Sequence, residues 1–194
     1  MTFFIAFICI CYVTPNAFDT SFNGGPSTTL STTLSFPNGS DIFVSKFSAD
    51  GSQLLASTFV GGTHNDGVNT AAYLRKNYAD DNRGEILVDE HSNVYVVSST
   101  SSQDFPVTSN AYDTFPCGNQ DVCVFKLNQD LSQLVWSTYF GGSANDAGYS
   151  MMLASDKSVY VCGGALSPNL PTSANAYQPV YATGTDGFVA HLSA

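Results

Sequence analysis

Basic residues are scarce. Six Lys and Arg stand against 16 Asp and Glu, a net charge of −10, and charged residues of both signs make up only 11% of the 194. Nucleic-acid and polybasic membrane-surface partners need clustered positive charge to meet phosphates, so both are excluded, and cations are the small partners such a surface favours. Long apolar runs are missing too. The strongest lies within Met1–Tyr12 and holds about nine residues, where a membrane-crossing helix needs roughly 20. It has no basic leader and no small-residue cleavage site, which leaves an export signal poorly supported, and its Phe and Ile content reads as a β-strand. Among the five cysteines, Cys9, Cys11, Cys117, Cys123 and Cys162, there is no C-x-x-C pair and no histidine at ligand spacing, so zinc is unsupported. Cys117 and Cys123 could be bridged in an oxidising compartment. No G-x-S-x-G, H-E-x-x-H or P-loop occurs, and no helical period is sustained.

What the chain has in quantity is repetition. Asp41-Ile-Phe-Val-Ser-Lys-Phe47, Asp121-Val-Cys-Val-Phe-Lys-Leu127 and Asp186-Gly-Phe-Val-Ala-His-Leu192 are three copies of one strand. The first two lead into Gln53-Leu-Leu-Ala-Ser-Thr-Phe-Val-Gly-Gly62 and Gln133-Leu-Val-Trp-Ser-Thr-Tyr-Phe-Gly-Gly142, and each of those into Asn-Asp at 65–66 and 145–146. Glu85–Asp89 aligns with Tyr149–Ala154, and Asn93–Val97 with Ser158–Cys162. Connectors follow at Phe105–Tyr112 and Leu170–Tyr177, and a third copy runs from Tyr12 to Phe18. Cys123 falls where sister copies carry Phe43 and Phe188, a core position.

Asp121 and Asp186 are 65 residues apart but Asp41 and Asp121 are 80 apart. The excess places an insertion at 68–82, which reads as a solvated excursion. A second excess, of 14 residues, precedes Asp41 and is mostly the Ser/Thr tract Pro26–Ser35, expected to be a flexible or glycan-bearing loop. Each unit then has four short strands. The resulting expectation is an all-β chain of four-stranded antiparallel blades of the β-propeller type. The divisions are 1–40 (a partial blade with the Ser/Thr loop), 41–120 (a blade with the insertion), 121–185 (a blade) and 186–194 (the first strand of another). Two complete units with broken pieces at each end are too few to close a ring. The chain is therefore expected to belong to a longer product, to assemble with other blades or copies of itself, or to expose unpaired edges.

The recurring polar residues have two readings. Asp41, Asp121 and Asp186 precede strands and should accept backbone N–H bonds in the turn. Asp66 and Asp146, with Asn65 and Asn145, lie in Gly-rich turns and are the candidates for calcium. Lys46 and Lys126 recur at one position and need a partner inside a stack, for which Asp146 or Asp121 is the expected carboxylate beside Lys126. Asp80, Asp81, Glu85, Asp89 and Glu90 form the densest acidic group, read as a solvated loop. The alternative is a hydrolytic or carbohydrate-active site using two of them. Residues that repeat with every unit are poor catalysts, since catalysis occupies one place, so the chain reads as non-enzymatic. Tyr73, Tyr78 and Phe115 are the loop aromatics expected to contact a protein or glycan.

The succession D-x-F-V-x-K-[FL], S-T-[FY]-x-G-G-x-x-x-D, x-V-Y-V and [FL]-P…N-A-Y resembles the bacterial seven-bladed β-propeller repeats known as SBBP repeats, over roughly 13–194. That resemblance implies a secreted or cell-surface bacterial repeat protein with no defined catalytic activity. It also implies that Asn38-Gly-Ser40 is not a used glycosylation sequon. The departures are His191 in the Lys position, Tyr12 in place of the connector proline, and an N-terminal dodecapeptide that matches a fourth strand only in being apolar.

Overall fold

The computed structural model describes residues 2–6, 12–31, 34–77 and 79–193, with backbone pairing alone for 2–6. Strands follow in the order β1 (Thr2–Ala6), β2 (Thr28–Thr29), β3 (Ser35–Phe36), β4 (Ile42–Phe47), β5 (Leu54–Val60), β6 (Glu85–Val88), β7 (Val94–Thr100) and β8 (Asp121–Leu127). They continue with β9 (Leu134–Phe140), β10 (Asp146–Leu153), β11 (Val159–Ala165) and β12 (Asp186–Leu192). Among the described residues, two 3-10 turns, Ala72–Leu74 and Asp80–Asn82, interrupt this all-β order. No helix among the described residues is long and apolar enough to cross a membrane.

The named strands all pair antiparallel, in sheets ordered β1-β4-β5, β6-β7-β8-β9 and β10-β11-β12, with β2-β3 as a separate hairpin. These sheets are out of phase with the sequence units that start at each Asp. The four strands of 41–120 do not form one sheet: β4 and β5 pair with β1, whereas β6 and β7 pair with β8 and β9. The reason is local. After the Gly61-Gly62 and Gly141-Gly142 turns the chain leaves its sheet, while the longer connector from Phe105 to Gln120 returns β8 to the side of β7. Within Met1–Tyr12, Thr2–Ala6 form a strand, paired with β4 from Thr2↔Phe47 to Ala6↔Phe43.

The middle sheet is covered on both faces, so its strands carry apolar residues at successive positions instead of alternating. Val94, Val96, Cys123, Phe125 and Leu127 pack with Ile42, Val44 and Val60 of the first sheet. Tyr95, Val97, Val122, Val124 and Phe140 point the other way, onto Met151, Val159 and Val161 of the third. This two-sided burial is why all seven residues of β7 are buried.

The insertion at 68–82 differs from its expectation as a solvated excursion. Within it, Val68, Ala71 and Leu74 are buried. Ala71 and Leu74 pack with Ala147, and the Tyr149 hydroxyl donates to Leu74 O at 2.5 Å. Buried Gln120 grips it further, accepting from Thr70 N at 2.6 Å and donating to Asn69 Oδ1 at 3.0 Å. The Pro26–Ser35 tract lies at the surface, its described residues exposed or half-buried, and Thr28–Thr29 pair with Ser35–Phe36 as the β2-β3 hairpin. Arg75 ties the two insertions together by donating to Leu30 O at 2.9 Å and to Asp81 at 3.1 Å.

Candidate functional site

The Ser-Thr of each S-T-[FY]-x-G-G strand is a clasp. In the middle sheet, Ser137 Oγ donates to Pro106 O at 2.7 Å and Ser137 N to Thr108 Oγ1 at 3.3 Å. Thr108 N returns a bond to Ser137 O at 3.2 Å, and Tyr139 N donates to Asp113 O at 3.2 Å. The first sheet repeats this arrangement. Ser57 Oγ donates to Tyr12 O at 2.6 Å, Ser57 N to Thr14 Oγ1 at 3.0 Å, and Phe59 N to Asp19 O at 3.1 Å. The connector therefore runs along the outer edge of β9, and its N-terminal copy along β5. It satisfies backbone groups that an edge strand would otherwise leave open.

The Gly-Gly-x-x-x-Asp element is a second node. Asp66 accepts from Gly62 N at 2.8 Å, Ser102 Oγ at 2.8 Å and the Thr100 hydroxyl. Asp146 accepts from Gly142 N at 2.7 Å, Ser167 Oγ at 2.7 Å and Leu166 N at 3.3 Å. Ser102 and Ser167 also receive His64 N and Ala144 N, both at 2.9 Å. Asp104 and Asn169 accept Thr63 N and Ser143 N, both at 2.8 Å. The sequence reading missed these four residues. The signal was present as Ser-x-Asp-Phe-Pro against Ser-x-Asn-Leu-Pro, one step before the connector began.

The strand-preceding aspartates close the preceding turn, as expected. Asp121 accepts Cys117 N at 2.8 Å and Gly118 N at 3.2 Å, and Asp186 accepts Ala182 N at 2.7 Å. Asp41 accepts Asn23 N at 2.6 Å and Gly24 N at 3.1 Å across sequence separations of 18 and 17, where Asp121 spans 4 and 3. The same turn is thus opened by 14 residues, and Gly25 N donates to Asn38 O at 3.0 Å where the excursion closes.

Asp41 and Asp66 converge on Gly61, and Asp121 and Asp146 on Gly141. A Cβ at Gly61 would lie 2.7 Å from Asp41 Oδ1 and 3.0 Å from Asp66 Oδ2, and one at Gly141 would strike Asp121 Oδ1. Burial pushes Asp66 up to about 7 and Asp41 and Asp121 to about 6, with neighbouring carboxylates adding to the effect. Asp146 is raised by the same cause.

The oxygens of the calcium candidates are engaged in hydrogen bonds to different extents. N–H and O–H groups aim at both oxygens of Asp66 and of Asp146. Asn65 Oδ1, Asn145 Oδ1 and Asp121 Oδ1 are buried without a partner. Among the described residues, however, no group of three or more His, Cys, Asp or Glu side chains is placed to hold a metal.

The recurring lysines part company. Lys46 donates to Gln129 O at 2.8 Å, in the turn of the next sheet. Lys126 does not meet Asp146 or Asp121. Its amine lies 3.8 Å from Asp89 Oδ2 and 4.7 Å from the centre of the Tyr95 ring, its cross-strand neighbour. The third copy explains the departure at His191. Where the middle sheet has Asp89, the third has Ala154, and His191 instead stacks on Tyr160 at 4.2 Å and shares a 2.7 Å hydrogen bond with Ser158.

Nor is the acidic group simply a solvated loop. Asp80 is buried, holding Arg83 at 2.9 Å and Asn77 N at 2.7 Å. Glu85 accepts Met151 N at 2.7 Å and the Ser150 hydroxyl. Asp89 is also buried and accepts His91 N and Asn93 N, both at 2.9 Å. Asp81 and Glu90 pair with Arg75 and Lys157. An open depression lies between the Glu90–Asn93 turn and the Asn128–Asp130 turn.

Of the loop aromatics, Tyr73 and Phe115 are largely exposed, and Tyr78 lies outside the described residues. Lys76 sits 5.5 Å over the Tyr73 ring. Cys117 and Cys123 are free thiols, one exposed and one buried. The buried strand position of Cys123 directs its sulfur into the core, away from the turn that carries Cys117. No protein-family model matches the chain, and no curated protein matches it.

Proposed function

We propose that the chain is a non-enzymatic β-propeller-type module of the SBBP-repeat kind, from a secreted or cell-surface bacterial protein. In this reading its successive sheets are blades and its loops bind protein or glycan. The observation that carries it is the use of the recurring polar residues. Ser57-Thr58 and Ser137-Thr138 clasp the connectors, Asp66 and Asp146 close the Gly-Gly nodes, and Asp41 and Asp121 close the turns before strands. Side chains that repeat with the unit are occupied by the unit's own architecture, as a scaffold requires. What is left for recognition lies in loops, at Tyr73 beside Lys76 and at Phe115.

Excising 68–82 would strip Val68, Ala71 and Leu74 from the interior, so point variants are the appropriate probes. A glycan array and a pull-down from bacterial surface extracts, run with the wild type and with Tyr73→Ala and Phe115→Ala, test the reading. It expects a ligand whose capture falls in at least one variant. A ligand held equally by both variants would place recognition elsewhere.

A further inference from the structure

Lys76 is the cation that the fold leaves without an acceptor. The other five basic side chains have one: Lys46 donates to Gln129 O, Arg75 pairs with Asp81, Arg83 with Asp80, Lys126 with Asp89 and Lys157 with Glu90. Lys76 is exposed, and its amine meets the Tyr73 ring at 5.5 Å from the centroid but, among the described residues, no carboxylate or carbonyl. Between Arg75 and Arg83 three cations stand against two carboxylates, both paired with the arginines, in a chain of net charge −10. The excess positive charge therefore falls on Lys76. Its position beside the tyrosine is built in, since Tyr73 and Lys76 are three residues apart across the Ala72–Leu74 3-10 turn, which puts i and i+3 on one side. The backbone there is anchored from both directions. Leu74 is buried and its N–H closes the turn on Ala71 O at 2.9 Å, while the Tyr73 carbonyl accepts Thr185 Oγ1 at 3.3 Å. On the other side Asp80 Oδ2 accepts Lys76 N at 3.1 Å and Asn77 N at 2.7 Å. The Tyr73 ring is 71% exposed on this anchored backbone, so little order has to be gained when a ligand covers it.

We propose that Tyr73 and Lys76 form a subsite for an acidic glycan, in which a uronic-acid ring lies against the tyrosine and its carboxylate pairs with the Lys76 amine. The two side chains divide the chemistry. The C–H face of a pyranose is apolar, and laying it on an aromatic ring takes both surfaces out of water. The carboxylate on C5 of the same pyranose projects from the edge of the stacked ring, and a cation held beside the aromatic is what meets it there. A neutral hexose makes only the first contact. An acidic peptide makes only the second, because it has no flat apolar face to offer Tyr73. The remainder of the protein, carrying the net negative charge, repels a polyanion, so a polyuronate is favoured where the local balance is reversed. This deepens the reading of the loops as glycan-binding and rests on it: Tyr73 is the contact common to all glycans, and Lys76 decides which class is preferred.

The probes are tetramers of galacturonate, glucuronate and mannuronate, each compared with the neutral tetramer of the corresponding hexose and with tetraglutamate. They are titrated into the full chain by calorimetry at low and at physiological ionic strength. At least one uronate tetramer should bind more tightly than its neutral counterpart by about three- to five-fold, the contribution of one exposed ion pair, and lose that margin as salt rises. Lys76→Gln, altered at an exposed residue, should keep its melting temperature and bind the two tetramers alike. Lys76→Arg should keep the preference, and Tyr73→Ala should weaken acidic and neutral tetramers together. No uronate above its neutral counterpart, a margin kept in Lys76→Gln, or tetraglutamate bound as tightly as the best uronate would overturn the proposal; the last would make charge alone the determinant. Neutral and acidic tetramers bound alike and lost together in Tyr73→Ala would leave the loop reading standing and remove this one. Glycans held undiminished by both Tyr73→Ala and Phe115→Ala would remove the two together.

Discussion

Asp113 and Thr138 hold each other from both sides. The Asp113 amide donates to Thr138 Oγ1 at 2.9 Å, and the Thr138 hydroxyl has Asp113 O at 3.2 Å and Tyr139 O at 2.9 Å as acceptors for its single proton. Asp19 and Thr58 repeat the relationship at 2.9 and 3.2 Å. Thr138→Val keeps the shape and the β-branch but removes both the donor and the acceptor, stranding the Asp113 amide. The expected cost is about 1–2 kcal/mol in urea unfolding. Hydrogen exchange should speed up selectively over 106–113 while β7 stays protected. Thr58→Val should do the same to 12–19.

Acid should stabilise this protein before it destabilises it. Asp66, held up at about 7, and Asp41 and Asp121, at about 6, bind their protons more tightly folded than unfolded, where the ordinary value is 3.8. Their contribution is full below that ordinary value and is lost as pH rises through 6 to 7. Asp89, Asp104 and Asp156 are shifted down, and Asp50 down to about 2. Their contribution is present above the ordinary value and lost as pH falls below it. Melting temperature against pH should therefore peak between about 4 and 6 and fall toward 8. Asp66→Asn should flatten the alkaline limb, and an unchanged limb would mean that Asp66 is not the group titrating.

The strands and their repetition were legible because each copy carries the same apolar pattern. The role of Ser-Thr was not, since Ser137 finds Thr108 across 29 residues and Ser57 finds Thr14 across 43. Only pairing brings such positions together. The sheet boundaries were hidden for a related reason: a repeat shows its period, but not where along that period one sheet ends and the next begins. The 14-residue excess before Asp41 was countable, and the turn closed by Asn23 and Gly24 locates it. Docking of 68–82 was misread because its basic residues, Arg75 and Lys76, and its aspartates suggested water. Val68, Ala71 and Leu74, spaced among them, are what the interior takes.

Lys126 was matched in the sequence to an acid that recurs, whereas its partner does not recur. Asp89 has Ala154 as its counterpart, and the lysine changes to His191 in the same copy. Lys126→Met should cost about 1–3 kcal/mol, below the loss for a close buried pair, because the separation is 3.8 Å and Asp89 keeps its bonds from His91 and Asn93. The Asp89→Asn, Lys126→Met double variant should lose less than the sum of the single changes. Additivity in that cycle would show that the two charges do not interact.

The Gly-Gly element makes the sharpest mutational prediction. At Gly141 a methyl group would collide with Asp121 Oδ1 and come within 3.0 Å of Asp146 Oδ2, while at Gly142 it would lie 2.7 Å from Ser167 Cβ. Neither carboxylate can retreat cheaply. Moving Asp121 releases the Cys117 and Gly118 amides, and moving Asp146 releases Gly142 N and the Ser167 hydroxyl. Gly141→Ala should therefore cost about 3 kcal/mol, the upper part of the range for overpacking, since buried hydrogen bonds break along with the packing. Gly51→Ala is the contrasting case. Its Cβ would meet nothing within 4 Å, but its φ of 72° is left-handed, so backbone strain alone should cost about 1 kcal/mol. Chemical denaturation of the two variants side by side separates collision from backbone strain, and equal losses would show that the paired carboxylates do not enforce the glycine.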